Sequence, residues 1–486
     1  MERLEKKNIK GKTYYYYSKW EKVNGKCRRI WQKYLGSPEN ILKTFENNQP
    51  AKPQYVEIFQ HGLTEVLWNE CSHTDIITHV NSLCQKRSQG LSVGEYIAIA
   101  AINRAIKPVS KSCLFDWFSK TTLRRHIPTA NKTALSHQRF WDHMDRIEPQ
   151  RAALIWKNII TEVVQRENIE PNSVSYDGTN FYTFIDTFNT HCDIAKRGKN
   201  KPGRTNLRQI SYALFCSADG QIPLYYEIYE GNRNDTKQFP LMLKNFHDFI
   251  KTNWKSHMHR SKLTLIFDKG NNSKDNFKLI DSLKVHYVGS VKLSEFKSLA
   301  EISNKDSRLI TSESVGLEST KSFRVRKKAY GKIRNLVVTY NQKLFDTQIL
   351  TVYNDIEKAI EKLEALEQKL NDRASGLITS VQSPTISSVQ SQCKDILSRQ
   401  YMKEVMKYSI NSGKNGIPQL EYEIDTEVLE RLSDTYLGKN IIVTNRSSWD
   451  NEQIILAYRS QFNLENVLSV MKDREIGSWR DVFHWT

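Results

Sequence analysis

Between Ser173 and Val291 the apolar pattern follows an order that few folds can accommodate. Ser173–Ile185, Gln209–Ser217 and Leu224–Tyr229 read as three strands in succession. A helix over Phe239–Lys251, a strand over Leu263–Phe267, a helix over Ser273–Leu283 and a strand over Val285–Val291 follow. Strands that first run together and then alternate with helices specify an α/β layer structure, a mixed sheet flanked by helices. Sheet character returns at Lys439–Thr444, and Asn451–Lys472 reads as one helix behind it.

The flanking segments have different textures. Tyr14–Trp20 and Arg28–Leu35 read as the strands of a hairpin, with Asn24-Gly25 supplying the positive φ of a type I′ turn. Lysines and arginines surround this hairpin, so its tyrosines suit either a phosphate grip or the packed face of a small sheet. From about Pro53 to Gln165 helical signals dominate. Ser92 and Glu95 form a capping box ahead of Ile99, Ile102 and Ile106, and Pro108 ends that run; a second helix starts near Ser136. In the stretch from about Ser294 to Tyr436, Arg334–Tyr340 reads as a strand and Asp355–Leu370 as a charged amphipathic helix. Ser375–Ser391 reads as a serine-rich loop. The resulting division is a β-hairpin basic region over 1–50, a helical region over 51–170 that suits DNA binding although most of its apolar positions read as ordinary core, and a first core part over 171–293. An inserted α+β segment over 294–436 and a second core part over 437–486 complete it.

Charge narrows the partner. There are 72 Lys and Arg against 54 Asp and Glu, a formal charge of +18, which favours a polyanion such as nucleic acid. The cysteine count is odd and no CxxC pair occurs, which argues against a disulfide framework and against a cysteine-type zinc site. The adjacent His191, Cys192 and Asp193 point successive side chains apart and carry no metal reading. With no apolar signal core at the start and no run long enough to span a membrane, the expected setting is a reducing cytoplasm and no membrane partner.

Asp177 interrupts the first apolar strand and Asp268 ends a later one. A lone aspartate there often caps a turn. Two of them, brought together on neighbouring strands, repel unless a cation sits between them or one is protonated. Hard divalent ions take such carboxylates together with substrate phosphate. Glu465 lies seven residues from both Tyr458 and Lys472, a spacing of nearly two helical turns, so all three share a face with Gln461. Alone, that helix reads better as a surface helix with an ordinary charged face.

These segments together resemble the DDE transposases of bacterial insertion sequences, in the group with an insertion between the second Asp and the Glu. DGTNFYTF resembles the first-Asp motif, LTLIFDKGNNSKDNF the second-Asp motif, and NIIVTNRSSWDNEQIILAYRSQFNLENVLSVMK the Tyr, Arg, Glu and Lys signature. RGKNKPGRTNLRQISYALFCSADGQIPLYYEIYEGNRND resembles the strand pair between the aspartates. The resemblance implies an RNase H-like core in which Asp177, Asp268 and Glu465 are catalytic and bind two Mg²⁺ or Mn²⁺ ions. It also implies cleavage at transposon-end inverted repeats, strand transfer into target double-stranded DNA, a homodimer bridging two ends, and a place at the bacterial nucleoid. Tyr458, Gln461 and Lys472 would hold phosphates near the cut. Lys196, Arg197, Lys199, Lys201, Arg204 and Arg208, with Gly198 and Gly203, form a basic loop expected to track the DNA backbone, or else a solvated loop.

Two departures stand out. Gln461 occupies the position where the family has Arg, and Arg459 points away from that face on a continuous helix. The chain stops at DREIGSWRDVFHWT, where the family continues into helical sequence, so a C-terminal truncation that impairs activity is expected. Rival readings are an RNase H-like nuclease without strand transfer, an inactive remnant that only binds DNA, and a metal-dependent phosphatase, against which the basic surplus argues.

Overall fold

The computed structural model describes residues 1–23, 25–46, 56–170, 172–185, 189–190, 192–199, 203, 206–218, 221–254, 263–378, 383–472 and 482–484. The chain divides into two compact units. One comprises Met1–His61 with Lys120–Thr122, the other Gly62–Ser119 with Leu123–Thr486.

The first unit is an antiparallel meander of β1 (Glu2–Ile9), β2 (Lys12–Val23) and β3 (Lys26–Gly36), followed by helix α1 (Pro38–Glu46). The expected hairpin is β2–β3. Its Gly25 has φ 78°, and Asn24 lies outside the described residues. Strand β1 and helix α1 escaped the sequence reading, because a sheet this thin gives β1 no alternation of apolar and polar residues. Lys10 and Gly11, with φ 48° and 78°, form the two-residue turn joining β1 to β2. Glu5 ties the three strands together, accepting from Trp20 Nε1 at 2.6 Å and Gln32 Nε2 at 3.1 Å over the fully buried Ser18.

The second unit opens with helices α2 (Gly62–His73), α3 (Ile76–Leu83), α4 (Val93–Ile106), α5 (Leu114–Phe118), α6 (Leu123–His126), α7 (His137–Met144) and α8 (Pro149–Arg166). The capping box at the start of α4 is formed: Ser92 Oγ accepts from the Glu95 amide, and Glu95 Oε2 accepts from the Ser92 amide at 2.6 Å. Ile99 and Ile102 are buried behind it.

Next come β4 (Ser173–Ile185), β5 (Arg208–Ser217), β6 (Pro223–Glu230), α9 (Asp235–Asn253), β7 (Thr264–Phe267), α10 (Lys274–Leu283) and β8 (His286–Ser290), in the order expected. Helix α9 begins four residues ahead of the expected Phe239 and runs through Pro240. Proline removes the amide that would reach the Thr236 carbonyl. Asn276 Nδ2 donates to that carbonyl instead, at 3.2 Å.

After α11 (Lys297–Ala300), strands β9 (Ile310–Thr311), β10 (Thr320–Ala329) and β11 (Lys332–Asn341) rejoin the main sheet. The segment set apart as an insertion therefore gives the sheet three strands, and β10 went unread because TKSFRVRKKA is mostly cationic and polar. Helix α12 (Gln342–Ala374) is far longer than the expected Asp355–Leu370, since Asn341 caps it by accepting from the Leu344 amide at 2.9 Å. Its stripe of Ile356, Leu363, Leu366 and Leu370 is buried in a local core with α13 (Ile386–Ile396), α14 (Met402–Val405), β12 (Met406–Ser412), β13 (Pro418–Ile424) and α15 (Thr426–Thr435). Helix α13 corrects the serine-rich loop: Thr385 and Ser388 form a capping box, and Val389 and Cys393 are buried. Residues 379–382 of that loop lie outside the described residues.

Strand β14 (Lys439–Thr444), helices α16 (Asn451–Arg459) and α17 (Gln461–Lys472), and β15 (Val482–His484) complete the chain. The ten-stranded sheet has the order β6-β5-β4-β7-β8-β14-β11-β10-β9, with β15 pairing β4. Within it β6, β5 and β4 are antiparallel neighbours, while β4, β7 and β8 are parallel. That is the RNase H-like arrangement, and the fold is mixed α/β. One sheet face is covered by aromatic side chains of α9 and α10, including Phe239, Phe246 and Phe277. The other is covered by Ile454 and Ile455 of α16 and by Leu464 and Leu468 of α17. Among the described residues no helix is long and apolar enough to cross a membrane, and all seven cysteines are free.

Candidate active site

Asp177 and Asp268 are neighbours by register. Strands β4 and β7 run parallel with Tyr176 opposite Phe267, and each aspartate is the next residue of its chain. Side chains alternate along a strand. Tyr176 and Phe267 point into the aromatic core, so both aspartates project to the opposite face, the one under α16 and α17. Asp177 also pairs directly with Leu214, which packs against Leu464 and Leu468 of α17.

Asp268 precedes a turn yet does not cap it with its side chain. Its Oδ1 accepts from Ser290 Oγ at 3.1 Å, across to the end of β8. Asp177 Oδ1 accepts from the Gly178 amide at 2.8 Å. The turn-cap reading thus fails for Asp268.

The single helix expected over Asn451–Lys472 is two helices. Ser460 Oγ donates to the Ala457 carbonyl at 2.7 Å, a back-bond that competes with the helix ladder, and the chain turns there. The common-face argument assumed one helix: it holds for Gln461, Glu465 and Lys472, all within α17, but not for Tyr458, which lies in α16 across the break. Packing nevertheless brings Tyr458 and Glu465 together. They line a cavity of about 460 Å³ with Asp268, Lys269, Arg459, Gln461 and Phe462. Burial pushes the Tyr458 phenol above its ordinary range, and the charges of Asp268 and Glu465 push the same way, while hydrogen bonding to Ser290 and Asn440 opposes them. Gln461 is buried in the wall. The Arg459 guanidinium turns to the Gly316 carbonyl and to Thr320 Oγ1. Lys472 sits farther along, with Nζ 5.7 Å from the centre of the Phe181 ring on β4.

Carboxylate oxygens are the donors that hard divalent ions take; Asp177 and Asp268 share one sheet face, and Glu465, on the helix over that face, lines the cavity with Asp268. They are not drawn into a closed ligand set: among the described residues no three His, Cys, Asp or Glu side chains are grouped tightly enough to hold a metal ion.

The basic loop lies at the other end of β4. Lys196 bridges to Gln209, whose Nε2 donates to the Lys199 and Gly231 carbonyls. Gly198 passes so close to Gly231 that a Cβ would meet its carbonyl at 2.4 Å. Arg208 donates to the Asn189 carbonyl at 3.0 Å, and Arg197 and Arg208 line a shallow cavity beside Thr183. Thr183 is six residues beyond Asp177, roughly 20 Å along the strand. Lys201, Arg204 and His191 lie outside the described residues, as does Trp485 of the aromatic ending.

Sequence reasoning missed Lys269 and Ser290. Both also line a cavity of about 780 Å³ with Lys292, Lys297, Arg431 and Lys439, reaching from the site toward α12, α14 and α15. The available signal was positional: Lys269 lies just past the carboxyl end of β7 and Ser290 is the last residue of β8, and open α/β sheets gather their ligands at the carboxyl ends of parallel strands.

Residues 174–481 match the family described as "Transposase DDE domain". No curated protein matches the chain. Among solved structures it is similar to a piggyBac transposase synaptic complex with hairpin DNA, at 12% identity and a TM-score of 0.35, covering 87% of this chain and 70% of that one. A Mos1 transposase paired-end complex with left transposon end matches at 10% identity and a TM-score of 0.17, covering 42% of this chain and 60% of that one. A pre-cleavage Mos1 transpososome matches at 10% identity and a TM-score of 0.18, covering 42% and 61%.

Proposed function

We infer, from the premise that this chain belongs to the Transposase DDE domain family over residues 174–481, that it is a transposase that cuts DNA at the ends of a mobile element and joins the freed strand to target DNA. The observation that carries this reading is the juxtaposition of Asp177 and Asp268 one step past the Tyr176–Phe267 pair, on the face covered by the helix bearing Glu465. These three carboxylates would hold two Mg²⁺ or Mn²⁺ ions. Such ions, when bound, stabilise the attacking and leaving oxygens of an in-line phosphoryl displacement.

The chain's own groups bind and orient the DNA. Tyr458, kept protonated by burial beside two carboxylates, offers a neutral hydroxyl to a phosphate oxygen without adding negative charge. Gln461, where the family has Arg, offers an amide and no charge. Lys472, on the same side of β4 as Phe181 and Asp177, extends the site toward Arg197 and Arg208. Those two arginines, with Lys196, Lys199, Lys201 and Arg204, follow the phosphates of the same duplex. Two protomers would bridge two element ends in the cytoplasm of a bacterial cell, at the nucleoid.

The test is cleavage and strand transfer by the full chain on a plasmid bearing the DNA that flanks its own gene, with Mg²⁺ or with chelator. Asp177→Asn, Asp268→Asn and Glu465→Gln should each abolish metal-dependent cleavage while leaving DNA binding within about twofold, since the phosphoryl-transfer steps, and not DNA binding, need the carboxylates. Cleavage by any of the three at the unsubstituted rate would remove that residue from the site. Cleavage without joining would leave a nuclease in place of a transposase.

A further inference from the structure

Residues 1–36 carry eleven Lys and Arg against three Glu, so +8 of the chain's +18 is concentrated in the β1–β3 sheet. Its two faces use their aromatics differently. On one face the rings are already engaged: Arg3 and Arg29 lie 4.7 and 5.9 Å from the Trp20 ring, Lys7 lies 4.7 Å from Tyr16, and Tyr16 packs against Tyr34. That face is closed by the Glu5 hydrogen bonds.

The opposite face follows from register. Leu4 pairs Tyr17 and Tyr17 pairs Lys33; Lys6 pairs Tyr15; Lys19 pairs Trp31. Directly paired residues share a face. Leu4, Tyr17 and Trp31 are 59%, 37% and 47% exposed. The Tyr17 and Trp31 rings stand 6.1 Å apart at 87°, and Tyr17 is fixed by donating its hydroxyl to Glu2 at 2.7 Å. Oriented, uncovered aromatic faces are thus interleaved with the ammonium groups of Lys6 and Lys33.

We propose that this face of the N-terminal sheet is a stacking platform for unpaired bases of single-stranded DNA. The inference rests on the proposed function for the choice of DNA over RNA. The preference for a single strand comes from the geometry. Bases within an intact duplex are parallel and shielded by their neighbours, whereas two rings set perpendicular can each receive only a base released from the helix. The interleaved lysines meet the phosphates between those bases, and a transposase that opens duplex ends generates such strands.

The test uses the full chain in chelator, so that no cleavage intervenes, and follows the anisotropy of a labelled oligo(dT) and of a labelled blunt duplex. Tyr17→Ala and Trp31→Ala should each weaken oligo(dT) binding by roughly five- to a hundredfold, the range for removing one stacked base, and leave duplex binding unchanged. Tyr17→Phe and Trp31→Phe keep a ring and should retain oligo(dT) binding, which separates stacking from a folding defect. Equal losses on both DNAs, no loss on oligo(dT), or tighter binding of an oligo(U) would each overturn the proposal. Because cleavage is scored separately with Asp268→Asn, failure of the platform leaves the transposase reading standing, and loss of cleavage leaves the platform standing.

Discussion

Replacing Asp281 by Asn should loosen the sheet where β8 and β11 pack against α10, through a partner 53 residues away in sequence. Asp281 lies in α10 and holds Arg334 of β11 by two bonds, Nη1 to Oδ1 at 3.1 Å and Nη2 to Oδ2 at 2.9 Å. The Arg334 side chain is only 3% exposed. Its Nε donates to the Ala329 carbonyl and its Nη1 to the Tyr287 hydroxyl, and the guanidinium lies 4.8 Å from the Phe277 ring. Asparagine matches the shape but removes the counter-charge, leaving a buried cation uncompensated, at a cost of about 3–5 kcal/mol. Lys332 also touches Asp281, at 3.1 Å, but is 65% exposed. Lys332→Ala should therefore cost under about 1 kcal/mol. The double variant Asp281→Leu with Arg334→Met removes both charges and should cost less than the two single changes added together.

A chain of this size does not unfold in one step, so the assay is hydrogen exchange read by mass spectrometry on peptides spanning Tyr287 and Val337. The ion pair also has an acid signature. Desolvation raises the Asp281 pKa, but bonding to Arg334 and Lys332 outweighs it, so the carboxyl ends up below its ordinary range. A depressed carboxylate stabilises the fold above its unfolded pKa, and that contribution fades as pH falls through the folded value. Protection in these peptides should accordingly fall in acid for the natural chain and lose that dependence in Asp281→Asn. The reasoning is refuted if Asp281→Asn costs no more than Lys332→Ala.

Three further outcomes follow from other regions. Ser92→Ala breaks the capping box of α4 and should cost about 1 kcal/mol, visible as faster amide exchange in the first turn; unchanged exchange counts against it. Burial lowers the Lys439 ammonium to about 8 from its ordinary 10.5, against the pull of Asp434 and Asp306. The unfolded chain then holds more protons between those values, so thermal stability should rise with pH across that window, a slope Lys439→Met should erase. Lys196→Ala with Lys199→Ala should reduce the salt dependence of duplex binding by about 0.9 in log–log slope for each phosphate no longer neutralised; an unchanged slope would mark that loop as merely solvated.

Much of the fold was legible because burial on both faces gives strong signals. Strand β4 coincides with its expected bounds, and β14 does too, since VSYDGTNFYTFI and KNIIVT are apolar runs with clear punctuation. What escaped was stabilised by polar devices. Strand β1 is held by Glu5 and a Lys10-Gly11 turn, α13 by a Thr385–Ser388 box inside a serine-rich run, and the first turn of α9 by Asn276 standing in for the amide Pro240 lacks. Each depends on a partner distant in sequence or on a cap that reads as loop.

The same distinction explains the candidate site. Helical spacing brought Tyr458 and Glu465 to one face on the assumption of an unbroken helix, and Ser460 breaks it. Their meeting in one cavity comes instead from tertiary packing, with Ile454 and Ile455 seated on Ile266 and Leu464 and Leu468 seated on Leu214. The aspartates needed no such help. From β4 the chain builds outward to β5 and β6 on one side, then crosses back to β7 and β8 on the other. The crevice between β4 and β7 is a topological switch point, where open α/β sheets receive ligands. Strand β7 stops at Phe267 while β4 continues to Ile185, so the crevice opens one residue past their last pair, at the level of Asp177 and Asp268. Two carboxylates side by side at the mouth of such a crevice repel one another, and a divalent cation taken up between them would relieve that repulsion.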